Sequence, residues 1–176
     1  MRILKWILGI VAVLAVAFVA VGMLLPREVT VERSAEINAT ADKVFPHVNN
    51  PKATEAWSPW LGLDPDVQTT YGDIAEGVGA KMEWASDNPQ VGSGKMEIIE
   101  SVPNERVASA LDFGDMGTAT ATYQLTEAGG KTTVTWGLTA DMGAGPVGRW
   151  FGLKMDDWVG ADYEKGLANL KALVEG

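Results

Sequence analysis

The sequence predicts an α+β chain in which a transmembrane helix precedes one domain, built from a curved antiparallel sheet and a long C-terminal helix. Three observations predict this fold class. The chain opens with an uncharged apolar run, its middle alternates between apolar and polar residues in short segments, and residues 147–176 carry apolar residues at helical spacing. Beyond the apolar run, the 176-residue chain has room for one domain of ordinary size.

The apolar run from Trp6 to Leu25 is long enough, as a helix, to cross the hydrocarbon core of a bilayer. Arg2 and Lys5 precede it, which favours an N-terminus in the cytoplasm and a domain outside, in the periplasm or the extracellular space. A cleaved signal peptide is the alternative, since "AVA" at 15–17 resembles a cleavage site. We predict an uncleaved anchor over 1–26, with 3–25 in the membrane, and a folded domain over 27–176.

The charge of the domain disfavours several classes of partner. It keeps all 23 acidic residues of the chain and lacks two of the 14 basic ones, which leaves a formal charge of −11. A nucleic-acid or anionic-lipid surface needs a basic patch instead. The chain has no cysteine and one histidine, His47, so thiolate and histidine-cluster metal sites are excluded. We expect no metal, no cofactor and no nucleic-acid partner.

The first element of the domain is a strand over 28–37, in which Val29, Val31 and Ile37 share one face. Arg33 has the parity of that buried face, so we expect a bulge to turn it outward. Two short helices follow. The first begins at Thr40 and is limited by Pro46, and the second runs from Asn50-Pro51 to "WSPW" at 57–60.

Six more strands and one long helix complete the prediction. The strands are expected at 67–71, 80–86, 93–101, 105–113, 118–126 and 131–140, with "EAGGK" as the last hairpin turn. The helix carries one apolar stripe: Phe151, Met155, Trp158, Val159, Tyr163, Gly166, Leu170 and Leu173. Three glycines, at 152, 160 and 166, weaken it by about 1 kcal/mol each relative to alanine, which indicates close packing. A bent sheet covered by one helix tends to leave an apolar cavity between them.

Several segments, in this order and spacing, resemble a known family. They are "VERSAEINATADKVFPHVNN", "WSPW", "GVGAKMEW", "VGSGKMEIIESVPNERVASALDF" and "FGLKMDDWVGADYEKGLANLKALVE". Together they resemble the START/birch-allergen-like helix-grip superfamily (SRPBCC), and within it the bacterial polyketide cyclase/dehydrase and lipid-transport family. The resemblance covers nearly all of 28–176 and implies a helix-grip fold with a cavity between sheet and helix. Such families include carriers, cyclases and hormone receptors, so the resemblance leaves the activity open.

Side chains that parity places on the cavity face are the candidate ligand contacts. Tryptophan offers a flat wall and methionine adapts its shape, which together suit an irregular apolar ligand. For any one of them a core position is the favoured interpretation, whereas for the whole set a cavity is favoured. Trp57 and Trp60 either plug one end of the core, which is the favoured interpretation, or form a ligand-facing wall. The candidates are Trp60, Met82, Trp84, Met96, Leu111, Tyr123, Trp136, Phe151, Met155, Trp158 and Asp162.

Asp162 is the polar member of this set, because it falls within the apolar stripe of the helix. A carboxylate there must be paired or hydrogen-bonded, or it must face water in the cavity. The partners we consider are Arg33, Arg106, Tyr123 and Trp136.

The predicted function is a membrane-anchored protein that binds a small hydrophobic molecule, such as a lipid or an aromatic or polyketide-like compound. Two alternatives stay open. One is a cyclase or dehydrase that moves protons with Asp162 as a weak catalytic candidate, assisted by Tyr123 or Arg33. The other is a protein-interaction module with a collapsed pocket.

Overall fold

A seven-stranded antiparallel sheet is the centre of the structure, a computed structural model that describes residues 2–176. The strand order is β1-β7-β6-β5-β4-β3-β2, so each strand lies beside its neighbour in the sequence, except that β1 pairs with β7. The strands are β1 (Glu28–Ile37), β2 (Gln68–Tyr71), β3 (Lys81–Ala85), β4 (Ser93–Val102), β5 (Arg106–Asp112), β6 (Thr118–Ala128) and β7 (Lys131–Asp141).

Four α-helices accompany this sheet within residues 2–176. They are α1 (Arg2–Leu24), α2 (Ala41–Asn49), α3 (Pro146–Gly152) and α4 (Met155–Glu175), with short 3₁₀ turns at Ala53–Ala56, Leu61–Leu63 and Gly114–Met116. The α+β class, the seven antiparallel strands and the C-terminal helix on the sheet are confirmed, and they form a helix-grip fold.

The single long helix that we predicted from residue 147 is wrong, since α3 and α4 are separated by a turn at Leu153 and Lys154. Gly152, the last residue of α3, explains why the chain turns there. A Cβ atom on Gly152 would lie 2.9 Å from Val29 Cγ2 and 3.1 Å from Met142 Cγ, so α3 ends in tight contact with the start of β1. The helical phase is interrupted at this point, and α3 and α4 present different faces to the rest of the protein.

Glycines in α4 allow it to approach the sheet closely, as their number in the sequence indicated. A Cβ atom on Gly166 would lie 2.7 Å from the ring of Trp136 and 3.1 Å from Pro59 Cδ. At Gly160 a Cβ atom would overlap the guanidinium group of Arg33. The helix therefore contacts the sheet through Gly160 and Gly166 together with the buried side chains of Tyr163, Leu167 and Leu170.

The bulge that we expected at Arg33 is also wrong. The pairing of β1 with β7 is continuous from Glu28 to Ile37, and the irregularity in the sheet lies instead in β4, between Ile98 and Glu100. Arg33 stays on the helix side of β1. Its guanidinium lies 2.9 Å from a carboxylate oxygen of Asp156 and 2.9 Å from one of Glu164. Two helix carboxylates thus neutralise a cation that alternation places on the inner face.

The core lies between the inner face of the sheet, α2 and α4. Its largest fully buried side chains include Trp57, Tyr163, Ile37, Ile98, Leu167 and Leu170. Leu170 and Val44 of α2 are fully inaccessible to solvent, so both helices close this end of the sheet. The other end of the sheet, near Trp84 and Met96, is less tightly filled.

Helix α1 is long and apolar enough to cross a membrane, with Ile3–Leu24 as the candidate span and 6% of its most apolar stretch buried. A signal sequence near the N-terminus would satisfy the same criterion of length and composition. Its C-terminal part contacts α3, and Pro26 and Arg27 join it directly to β1.

Candidate functional site

A pocket of about 350 Å³ opens between the inner face of the sheet and the segment Trp57–Leu61. Its floor is the aromatic side chains of Tyr123 on β6, Trp136 on β7 and Tyr163 on α4. Its rim includes the exposed residues Pro89 and Gln90 in the β3–β4 connection and Met116 between β5 and β6. The pocket therefore lies where the curved sheet bends away from α4, as the fold class leads one to expect.

Trp136 is the centre of an aromatic cluster at the base of the pocket. Its ring stacks on Tyr163 with centroids 3.8 Å apart and planes inclined by 11°. Trp57, Trp60 and Tyr123 surround the same indole at centroid distances of 5.3, 5.8 and 5.3 Å. Because each ring packs against several others, the aromatic side chains at the base of the pocket fix one another in place.

Trp57 and Trp60 divide between the two roles considered from the sequence. Trp57 is 1% exposed and its indole N–H donates to the carbonyl of His47, which fixes it as a core residue whose edge reaches the pocket. Trp60 is half-buried and forms part of the pocket wall. The backbone carbonyl of Trp57 also accepts a bond from Asn169 Nδ2, so the "WSPW" segment is tied to α4.

The opposite wall consists of Met82 and Trp84 on β3, Met96 on β4 and Leu111 on β5. Gly94 lies directly across from Trp84 in the antiparallel register. A Cβ atom there would be 2.6 Å from the Trp84 ring, so glycine lets the indole lie flat across β4. The Trp84 ring also meets Phe113 edge-on, with centroids 6.0 Å apart.

No charged side chain lines this pocket in the part of the chain that the structure describes. Burial raises the pKa of Tyr123 well above its ordinary value of 10.0, with a smaller contribution from Tyr163. Burial likewise raises the pKa of Tyr163. Both phenols therefore stay neutral at physiological pH, and the pocket is an uncharged environment.

The indole nitrogen of Trp136 is buried and has no hydrogen-bond partner among residues 2–176. A buried donor without an acceptor costs about 1–3 kcal/mol, and such groups are rare in native structures. Trp136 lines the pocket through its ring, whereas its nitrogen has less than 1 Å² of accessible surface and is closed off from the pocket.

The structure brings together seven of the eleven side chains that the sequence nominated. Trp60, Met82, Trp84, Met96, Leu111, Tyr123 and Trp136 all border the pocket. Phe151, Met155, Trp158 and Asp162 lie outside its lining. Phe151 and Trp158 are 58% and 55% exposed, and Met155 packs at the margin of the core. The interruption between α3 and α4 removes Phe151 from the helix. Trp158 is exposed for another reason, since it lies about 140° around α4 from the buried Tyr163.

Asp162 makes a contact that we did not predict. Its Oδ2 accepts a hydrogen bond of 2.9 Å from the indole N–H of Trp60. The carboxylate pairs with neither arginine that we considered, since Arg33 binds Asp156 and Glu164, and Arg106 binds Glu100. Asp162 is half-buried behind the pocket wall, where it orients Trp60.

Sequence reasoning missed the pocket residues that lie in connections. Val91 and Gly92 follow β3 and Met116 lies in a 3₁₀ turn, and no periodic pattern marks such positions. Tyr163 and Phe113 did carry a signal, since Tyr163 lies in the apolar stripe of the helix and Phe113 has the parity of Leu111. Neither is among the eleven candidates.

Two further concavities, of about 380 and 650 Å³, are lined partly by charged side chains such as Glu83, Lys95 and Asp112. Both concavities exceed the aromatic pocket in volume, but both are more open to solvent. Lys95 pairs with Glu83 across β3 and β4, so these two charges already have partners. The aromatic pocket is the better candidate site because it is the more enclosed and the more apolar.

Comparisons with solved structures show the same fold. Protein CV1439 from Chromobacterium violaceum superposes with a TM-score of 0.61 at 20% identity, covering 84% of this chain and 99% of that one. Protein Ms6760 from Mycobacterium smegmatis gives 0.57 at 20% identity, over 84% and 91%. The di-domain ARO/CYC protein StfQ of the steffimycin biosynthetic pathway gives 0.62 at 12% identity, and the match covers 84% of this chain and 51% of StfQ.

A comparison with curated proteins found no match. The sequence profile described as "Polyketide cyclase / dehydrase and lipid transport" matches residues 28–175, a range that contains the sheet, α2, α3 and all of α4. This range begins at the first residue of β1 and leaves out α1. The chain therefore belongs to the polyketide cyclase/dehydrase and lipid-transport family.

Proposed function

We propose that this protein binds an uncharged, largely apolar small molecule in the aromatic pocket, and that α1 anchors it to the cytoplasmic membrane with the domain, residues 27–176, on the outer side. The observation that carries the ligand proposal is the pocket itself. It is enclosed by aromatic and methionine side chains and has no charged lining within residues 2–176. Its volume of about 350 Å³ is within the range of small-molecule sites.

The side chains of the lining define the class of ligand more closely than family membership does. Flat indole and phenol rings at the base favour a planar ring system or a stiff hydrocarbon. A lining without charged side chains, among the residues that the structure describes, disfavours a charged ligand. An apolar lipid tail and an aromatic or polyketide-like ketone both meet these requirements.

The two alternatives have less support. The enzyme hypothesis depended on Asp162, which lies outside the pocket lining and is engaged by Trp60. The interaction-module hypothesis needs a filled core, whereas the space beside Trp136 is open to ligand.

A pair of probes that differ only in charge tests the proposal. Fluorenone and its 4-carboxylate have the same tricyclic core, and only the carboxylate is charged at neutral pH. We expect fluorenone to bind the purified protein at one saturable site, with a change in tryptophan fluorescence, and the carboxylate to bind at least about 10-fold more weakly. The Trp136→Phe variant should bind fluorenone about 2- to 10-fold more weakly, since it removes part of the aromatic floor and an aromatic contact contributes roughly 0.5–1.5 kcal/mol.

Trp158→Phe is the matched control, because it makes the same exchange at an exposed residue outside the pocket. It should leave both affinities unchanged. Equal affinity for fluorenone and its carboxylate would refute the uncharged ligand class. Absence of fluorenone binding by the folded wild type would refute the ligand proposal.

A further inference from the structure

Helix α3 packs against the C-terminal part of α1 through specific contacts. The ring of Trp150 stacks on Phe18 with centroids 5.2 Å apart and planes inclined by 12°, and its indole N–H donates to the carbonyl of Phe18 at 3.0 Å. Arg149 Nη1 donates to the carbonyls of Met23 and Leu25 at 2.6 and 3.2 Å. The last carbonyls of a helix lack partners within it, so Arg149 caps α1.

These contacts fix the depth of α3 relative to α1. Phe18 precedes Leu25, the last apolar residue of the run, by seven positions, which is about 10 Å along a helix axis. If α1 crosses the membrane, as proposed above, Trp150 lies alongside the part of α1 that is within the outer leaflet. Helix α3 is then held at the level of the lipid and not above it.

The outward side of this region is apolar. Val147, Phe151 and Leu153 are 55%, 58% and 55% exposed, and we call these three residues the α3 surface. The segment 142–153 contains no acidic residue and one basic residue, Arg149, although the domain as a whole is strongly acidic and exposed charges resume at the start of α4. Exposed apolar side chains grouped in this way mark a contact with a partner or a membrane, and tryptophan is favoured at the membrane–water boundary.

We infer that the α3 surface is embedded in the outer leaflet of the bilayer beside α1, at the boundary between acyl chains and headgroups. This inference rests on the proposed membrane anchoring. The partner is lipid and not a protein, because α3 is already fixed to the anchoring helix and its free side continues the apolar surface of that helix. Zwitterionic lipid suffices, since this surface binds through apolar contact and carries little charge of its own.

The register of the sheet places the pocket rim at the same end of the molecule. Ala119 pairs with Ala140, and Asp112 pairs with Thr118, so the turn that contains Met116 emerges beside the connection from β7 to α3. Glu28 pairs with Asp141, so the link to α1 leaves from this end too. Embedding the α3 surface therefore turns the rim of the pocket towards the bilayer.

Lipid-borne quenchers provide the test, using the full chain reconstituted in phosphatidylcholine vesicles. The protein has no cysteine, so one introduced cysteine can be labelled with an environment-sensitive fluorophore. We would label Phe151→Cys on the α3 surface, Val13→Cys in the middle of α1, and Ile99→Cys as a control. Ile99 is 51% exposed and lies on β4, away from α1 and α3.

We expect nitroxide placed near the top of the lipid acyl chain to quench the label at 151 and shift its emission to the blue, and to leave the label at 99 unaffected. The label at 13 is read with a nitroxide near the end of the acyl chain, because the middle of α1 would lie at the bilayer centre. Quenching at 13 by this deep nitroxide, with none at 151 by the shallow one, would overturn the inference and leave the anchor intact. Absence of deep quenching at 13 would overturn the anchor and the inference with it. Ligand binding is measured separately by the fluorenone titration, so the outcomes remain distinguishable.

A pair of glycine variants tests whether α1 holds the surface in place. A Cβ atom on Gly22 would lie 2.6 Å from Pro146 Cβ and 2.8 Å from Trp150 Nε1, whereas one on Gly9 meets nothing within 4 Å. In the Phe151→Cys background, Gly22→Leu should reduce the quenching at 151, and Gly9→Leu should not. Equal quenching in both would show that the α1–α3 contact does not position this surface.

Discussion

At the scale of single residues, the bond between Trp60 and Asp162 shows how a carboxylate can lie on a mostly apolar helix face without a cation. The indole N–H supplies one donor, and the half-exposed position leaves the remaining lone pairs to water. A fully buried ion pair would have had a much larger effect on stability if one partner were removed. The carboxylate is thus a positioning group for the pocket wall.

Asp162→Asn should therefore change the free energy of unfolding by less than about 1 kcal/mol, because the amide oxygen can still accept from Trp60. Asp162→Ala should cost about 1–2 kcal/mol, since it leaves the indole N–H without its acceptor. Urea denaturation of the two variants beside the wild type measures both values. A loss near 4 kcal/mol in Asp162→Asn would contradict the contact described here and indicate a buried ion pair.

Asp141, which lies next to the start of β1, makes the stability of the fold depend on pH. The hydrogen bond from Arg27 is the main cause that lowers its pKa from an ordinary value of 3.8 to about 2, and the backbone N–H of Gly143 contributes. Since the pKa in the folded state is depressed, the stabilisation is present above pH 3.8 and is lost as the pH falls through about 2. Over this window the wild type should lose stability with acidification.

Carboxyl NMR titration of the wild type and of Arg27→Gln checks this assignment. We expect the midpoint of Asp141 to move from about 2 in the wild type up towards 3.8 in the variant. The stability of the variant should depend less on pH between these values. An Asp141 midpoint that does not respond to the loss of Arg27 would refute the pairing.

At the scale of elements, alternation predicted every strand to within a few residues, because every strand except β2 has side chains in the core. The C-terminal helix was predicted less well. A helical wheel assumes an unbroken helix, and the contact of Gly152 with Val29 and Met142 that ends α3 joins residues far apart in the chain. Local sequence does not reveal such a contact, so the predicted stripe wrongly continued to Phe151, and it was also too wide where it included Trp158.

Two glycines of α4 differ in what they contact, and this gives a matched pair of variants. Gly166→Ala should destabilise the protein by about 1–3 kcal/mol, because the new methyl group meets the rigid ring of Trp136 and the ring of Pro59. Gly160→Ala meets only the end of the flexible Arg33 side chain, whose displacement weakens its ion pairs with Asp156 and Glu164. Such exposed pairs contribute about 0–1 kcal/mol, so a gain in helix propensity of up to about 1 kcal/mol should offset the displacement. Thermal or urea denaturation of both variants compares them, and equal effects would contradict the packing of α4 on Trp136.

At the scale of the whole molecule, the site was predictable as far as the sheet defines it. Parity identified Met82, Trp84, Met96, Leu111, Tyr123 and Trp136, since alternate residues of neighbouring strands face the same side. The rim at Pro89–Gly92 and Met116 was not predictable, because connections follow no period. The unpartnered nitrogen of Trp136 is a property of three-dimensional packing alone.

The orientation of the whole protein is open to a direct experiment. If α1 is an uncleaved anchor with its N-terminus in the cytoplasm, protease added to intact spheroplasts should digest the domain at once. Protection until lysis would reverse the orientation. Recovery of a soluble protein shortened by about 20 residues would show instead that α1 is a cleaved signal.

The pairing of β1 with β7 also has a consequence for biosynthesis. Thr30 and Thr139, which face each other across these two strands, are 109 residues apart in the chain. At a synthesis rate of roughly 5–20 residues per second, β1 must wait about 5–20 seconds for the strand that completes its hydrogen bonds. During that interval a ten-residue strand with open backbone groups emerges from the ribosome ahead of its partner. If α1 anchors the chain as proposed, neighbouring nascent chains are able to pair β1 with β1 until β7 has been synthesised.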